Sequence, residues 1–328
     1  MRRATAALAA LLALSACDSG GRTRPSRGPA EDRDPGIPAA TNHRIESISV
    51  HTLTWLSATE VLTVEFPDPT TAAKTPTWVI VDATTGTTRR VTPPAPADCA
   101  GAVATGPARI RDGVVAYVEH CPDPKRSRVL SYDVATGRAT PLADAGAMVL
   151  EHVTVGRDGR PAFVGDVANE CTGLARVSGA RVADGPLTAA PGWDLAAPLR
   201  GTGCAGTGRA AFARIDRTGR RVAFVGSPPG TPNTYVYVSA VTPFAPERVG
   251  PPIPSVADLT WSGDGKAVYV TSRGGTLIGV SRVDLATGAV ERLYDKTVTS
   301  IAASPDGTRL AILKPRPDTT TLAILPVP

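Results

Sequence analysis

The segment Ala302-Ala303-Ser304-Pro305-Asp306-Gly307-Thr308-Arg309-Leu310-Ala311-Ile312-Leu313 reads as two strands around one tight polar turn, and it recurs along the chain. Related hairpins occupy 259–270 around Asp264-Gly265, 213–225 around Thr218-Gly219, 153–164 around Asp158-Gly159 and 108–118 around Asp112-Gly113. A degenerate copy at 53–64 turns at Ser57-Ala58. A second kind of hairpin follows several of them, at 79–90 around Thr85-Gly86, 130–142 around Thr136-Gly137 and 280–293 around Thr287-Gly288. Glycine at such turns supplies the positive φ that tight hairpins demand. Beyond residue 43 no stretch carries helical periodicity, so the chain is expected to be all-β.

Two hairpins in succession make a four-stranded antiparallel unit. Six such units over residues 44–328 average about 47 residues each, which is the length of a β-propeller blade. The expected fold is a six-bladed β-propeller with blades at 51–92, 99–142, 148–187, 205–250, 256–294 and 298 to the end. Seven blades are the alternative, because the insertion at 188–209 has room for further strands. The last unit is one strand short, since only 320–327 follows Leu313 as a strand. The segment 43–50 is expected to supply the missing strand, closing the ring and covering an open edge. With 42% hydrophobic residues but only 5% aromatics, the blades must be packed by small and β-branched aliphatics.

The Ser304-Pro305-Asp306-Gly307 hairpin, taken with Asp284-Leu285-Ala286-Thr287-Gly288, resembles the repeat of TolB-like and WD-type propellers. The resemblance covers nearly the whole chain after its N-terminal segment, with the first, third and fourth units departing from it. It specifies a fold far more strongly than a function. It implies an extracytoplasmic protein that acts by binding other proteins. TolB itself carries a further N-terminal domain that has no counterpart in this sequence.

Arg2 and Arg3 precede an apolar run, Ala4 to Leu14, too short to cross a bilayer as a lasting helix. The run ends in Leu14-Ser15-Ala16-Cys17, which resembles the lipobox of bacterial lipoproteins. By that resemblance residues 1–16 are a lipoprotein signal peptide and Cys17 becomes the acylated N-terminus, modified with diacylglycerol and palmitate. Two or more chains give a stable anchor where one gives a marginal one. Residues 17–42 are rich in proline, glycine and charge and read as a lipidated, disordered linker. Residues 43–328 are the propeller domain. The expected place is outside the cytoplasm, held to the cell membrane by lipid. Removing Arg2 and Arg3 lowers the formal charge of +5 to about +3, too little to argue for nucleic acid.

Four cysteines remain, Cys99, Cys121, Cys171 and Cys204, an even number in a chain bound for an oxidising compartment. Spacing allows three pairings. The loops favour Cys99 with Cys121 and Cys171 with Cys204, since each bond then joins a long loop to a neighbouring one. No cysteine has metal-ligand or redox-motif spacing.

In a propeller the tight turns share one face and the longer connections share the other. All four cysteines fall on the long-loop face, as do Glu119, His120, Asp123, Asp166, Glu170, Trp193, Asp194 and Arg200. Long loops on a rigid scaffold are where binding concentrates. Near the tunnel mouth on the same face the sequence places His51, Glu151, His152 and Asp258. They come from three blades without local ligand spacing, and two carboxylates are too few for calcium, so neither metal nor other cofactor is expected. No G-x-S-x-G elbow occurs, and Gly201-Thr202-Gly203-Cys204-Ala205-Gly206 neither follows a strand of a βαβ unit nor opens a helix. The expected function is a non-enzymatic module for an envelope protein or cell-wall component. The alternative is a small-ligand sensor, or a hydrolase or lactonase-like enzyme, using the tunnel mouth.

Overall fold

The structure, a computed structural model, describes residues 41–45, 50–65, 76–94, 99, 102–122, 125–144, 149–155, 161–166, 175–179, 209–227, 233–240, 245–316 and 319–327. In chain order the strands are β1 (Thr41–Ile45), β2 (Val50–Trp55), β3 (Glu60–Glu65), β4 (Thr77–Asp82), β5 (Thr88–Val91), β6 (Val103–Arg111), β7 (Val114–Pro122) and β8 (Lys125–Asp133). They continue with β9 (Arg138–Asp144), β10 (Val149–Val155), β11 (Pro161–Asp166), β12 (Ala175–Gly179), β13 (Arg209–Ile215), β14 (Arg221–Ser227), β15 (Tyr235–Ala240) and β16 (Glu247–Val249). The last are β17 (Val256–Trp261), β18 (Ala267–Ser272), β19 (Gly279–Asp284), β20 (Val290–Tyr294), β21 (Ser300–Ala303), β22 (Arg309–Pro315) and β23 (Thr320–Pro326).

Antiparallel pairing in sequence order joins β2 to β5, β6 to β9, β13 to β16 and β17 to β20 into four-stranded sheets, and β10 to β12 into a three-stranded one. The final sheet runs β1-β23-β22-β21, with Thr41 opposite Ile324 and Ile45 opposite Thr320. The fold is an all-β propeller. Among the described residues it contains five complete four-stranded blades, not the six or seven expected. The sheet of β10 to β12 has three strands among the described residues, and 180–208, where its outer strand was expected, lies outside them. The closing strand is shorter and earlier than 43–50, because Val50 already begins β2.

Local chemistry fixes the turns. At Asp82, Asp133 and Asp284 one carboxylate oxygen accepts the backbone N–H groups of the residues two and three ahead, at 2.7–3.1 Å. These bonds hold all three carboxyls below the usual carboxylate range. In the Ser304-Pro305-Asp306-Gly307 turn, Ser304 Oγ donates to Asp306 Oδ1 at 2.5 Å and accepts Arg309 N at 3.0 Å. Gly307 sits at φ +76° and its Cα approaches Gly263 so closely that a Cβ on Gly263 would lie 2.4 Å away. Neighbouring hairpin turns touch there through backbone alone.

Apolar side chains pack between neighbouring sheets. Trp78 meets Tyr117 and Tyr132 edge-on, at centroid distances of 5.2 and 5.6 Å, between the first and second sheets. Ile45, Leu53, Trp55, Val79, Leu322 and Ile324 fill the seam where the chain closes. Two seams share a latch. Arg221 lies 4.8 Å above the ring of Trp261 and donates to Gly265 O, while Arg309 lies 4.9 Å above Trp55 and donates to Ala58 O. Each indole Nε1 donates back to the preceding sheet, from Trp261 to Arg214 O at 2.7 Å and from Trp55 to Ala302 O at 3.0 Å.

Candidate functional site

The first strands of the six sheets, β2, β6, β10, β13, β17 and β21, surround a central channel with a cavity of about 340 Å³. Five of them carry a bulge. Register breaks fall between Val50 and Thr52, Thr105 and Ala108, Leu150 and His152, Ala211 and Arg214, and Val256 and Asp258. A bulge re-aims the side chains beyond it and is a recurrent device beside sites. Gly106 and Phe212 hold the same place in two such bulges, at φ +60° and +54°. Glycine accepts that conformation readily, whereas phenylalanine is held in it by its surroundings.

Asp258 is buried in the channel wall and fully engaged. Its Oδ1 accepts Arg214 Nη2 at 2.9 Å and Leu259 N at 2.8 Å, and its Oδ2 accepts Ser300 Oγ at 2.7 Å and Ile301 N at 3.2 Å. One carboxylate thus ties β13, β17 and β21 together. Further hydroxyl bonds continue the ring, Ile215 N to Thr154 Oγ1 at 2.8 Å and Ala303 N to Thr260 Oγ1 at 3.4 Å.

Of the other residues placed at the tunnel mouth, His51 and Glu151 occupy the register breaks of β2 and β10, and His152 pairs with Val164 across β10 and β11. Of those four residues, Asp258 lines the cavity. The lining runs along the second halves of the inner strands to Arg109, Arg217, Gly263 and Pro305, at the tight-turn face. Sequence reasoning missed Arg109 and Arg214, because the alternation that assigns sides is broken by the bulges, and Arg217, which lies in the turn after β13.

On the long-loop face, Glu119 proves to be a buried strand residue rather than a loop one. It lies within β7, 2% exposed, and accepts Arg128 Nε at 2.9 Å with a second contact from Arg128 Nη2. His120, also on β7, bonds Ser127 Oγ through Nδ1 at 3.1 Å, and burial pushes its imidazole pKa down. Cys99 and Cys121 form a disulfide with Cα atoms 5.6 Å apart, tying the segment before β6 to the end of β7. Cys121 Sγ lies 3.9 Å from Glu119 Oε1. These three come together as potential metal ligands, but the thiols are consumed by the bond and the carboxylate by Arg128. Asp166 ends β11. Cys17, Asp123, Cys171, Glu170, Trp193, Asp194, Arg200 and Cys204 lie outside the described residues.

Fold and channel define a β-propeller. No protein-family model matches the sequence, and no curated protein matches it. Among solved structures the chain is similar to TolB from Acinetobacter baumannii, with a TM-score of 0.56 and 17% identity over 81% of this chain and 63% of TolB. The chain therefore spans less than two thirds of TolB's length. It is similar also to an oligogalacturonate lyase in complex with manganese, with a TM-score of 0.54 and 11% identity over 88% of this chain and 91% of the lyase. An oligogalacturonate lyase from Vibrio parahaemolyticus matches with a TM-score of 0.50 and 9% identity, over 89% of this chain and 98% of that one. At these identities the likeness is one of fold.

Proposed function

We propose that the chain is an extracytoplasmic lipoprotein, anchored through acylated Cys17, whose propeller binds an envelope protein or cell-wall component on its long-loop face without catalysing a reaction. The observation that carries this reading is the Cys99–Cys121 disulfide at the long-loop end of β7. Such a bond suits an oxidising compartment and stiffens the loop it closes. A rigid scaffold presenting stapled loops is a binding platform in physical terms. The commitment of Asp258 to four bonds supports the non-enzymatic part, because a carboxylate so occupied is a fastener rather than a proton carrier.

Two experiments test it. Metabolic labelling with palmitate is expected to mark the wild-type chain and not Cys17→Ala, which should also leave the membrane fraction; equal labelling of both removes the anchor. Site-directed crosslinking in cells is expected to lose its adduct when Glu170, Trp193 and Arg200 are replaced together by alanine. An unchanged adduct counts against the long-loop face. The second reading, a small-ligand site in the tunnel, is favoured by the cavity, which falls in the size range of small-molecule pockets.

A further inference from the structure

Among the described residues, the channel lining carries three cations, Arg109, Arg214 and Arg217, against one acid, Asp258. Arg214 is spent on that acid. Arg109 pairs with Asp112, whose side chain is 72% exposed and therefore exchanges readily with water or another anion. Arg217 is exposed and donates to the carbonyl of Gly263 at 3.1 Å, and among the described residues no acid pairs with it. The described turn acids nearby are engaged elsewhere. Asp216 is engaged by Thr218 and Arg221, and Asp264 and Asp306 accept from their own turns.

We propose that the tight-turn mouth of the channel binds a small carboxylate-bearing ligand, with Arg217 and Arg109 gripping the carboxylates. The planar guanidinium matches a carboxylate with two parallel bonds. A cavity of about 340 Å³ admits a ligand of di- or tricarboxylate size and excludes a folded protein. The site lies on the face opposite the stapled loops, so its success or failure is separate from that of the partner-binding reading.

Citrate is the probe, and Trp55 and Trp261, both in the lining, give a fluorescence signal for titration. Saturable binding is expected, tighter for citrate than for inorganic phosphate, and weakened about tenfold or more in Arg217→Gln. Arg109→Gln should weaken it less, because Asp112 already competes for that cation. Arg248→Gln, an exposed cation stacked on Tyr235 away from the channel, should bind as wild type. Should Arg217→Gln fail to fold, Arg217→Lys keeps the charge but loses the paired geometry, and its affinity should still fall. No saturation by about 1 mM citrate, the weak end of specific recognition, would overturn the proposal. Equal affinity in wild type and both Arg217 variants, or phosphate binding as well as citrate, would overturn it too.

Discussion

Two residues show how single positions are bent to the needs of the ring. Phe212 at φ +54° occupies a conformation that costs a residue with a Cβ about 1–3 kcal/mol. Its ring is half-buried against the cluster of Leu259, Val268 and Val270. Truncation to alanine loses the ring and keeps the strain, whereas glycine loses the ring and releases it. Urea denaturation should therefore rank Phe212→Gly above Phe212→Ala by about 1 kcal/mol, the reverse of the usual order. Asp306 makes a pH prediction. The bonds from Ser304 and Thr308 depress its carboxyl from the ordinary 3.8 to about 2. The unfolded chain takes up the proton first, so this stabilisation is complete above pH 3.8 and is lost as pH falls toward 2. The slope of the urea midpoint against pH should be shallower in Asp306→Asn between about pH 4 and pH 2 than in wild type.

At the scale of strands and turns, much was legible in the sequence because the determinants are local. Asp-Gly and Asp-x-x-x-Gly turns announce themselves, and the strands on either side follow from them, so the unit boundaries near 51–92 and 256–294 fall close to β2 to β5 and β17 to β20. The Cys99–Cys121 pairing follows from loops that flank one hairpin. What the sequence hid depends on bulges and on contacts between blades. Glu119 reads as the start of a loop because apolar residues end before it, yet β7 continues to Pro122 and Arg128 on β8 makes its burial tolerable. Arg214 looks like an exposed strand residue until the register break before it turns it toward Asp258. The repeated Leu-Thr-Trp at 53–55 and 259–261 was the one signal available for the Arg–Trp latch. A double-mutant cycle of Arg309→Ala with Trp55→Leu should return a coupling of about 0.5–2 kcal/mol. Additivity would mean that the cation and the ring do not interact.

For the molecule as a whole, the seam between β1 and β23 decides whether the ring is closed. Deleting residues 1–45 would bare the edge of β23 and the apolar cluster that Ile45 covers. The truncated protein is expected to self-associate, and a monomeric elution profile by size exclusion would argue against that role for β1. The same seam has a consequence in time. Thr41 pairs with Ile324, nearly the full span of the propeller, and drawing such distant segments together costs about 5 kcal/mol of loop entropy beyond a constant term. A ribosome extends a chain at roughly 5–20 residues per second, so β1 waits on the order of tens of seconds for its partner to exist at all. Through that interval the newborn protein carries one open apolar flank, and its most dangerous moment is the one just before it becomes a circle.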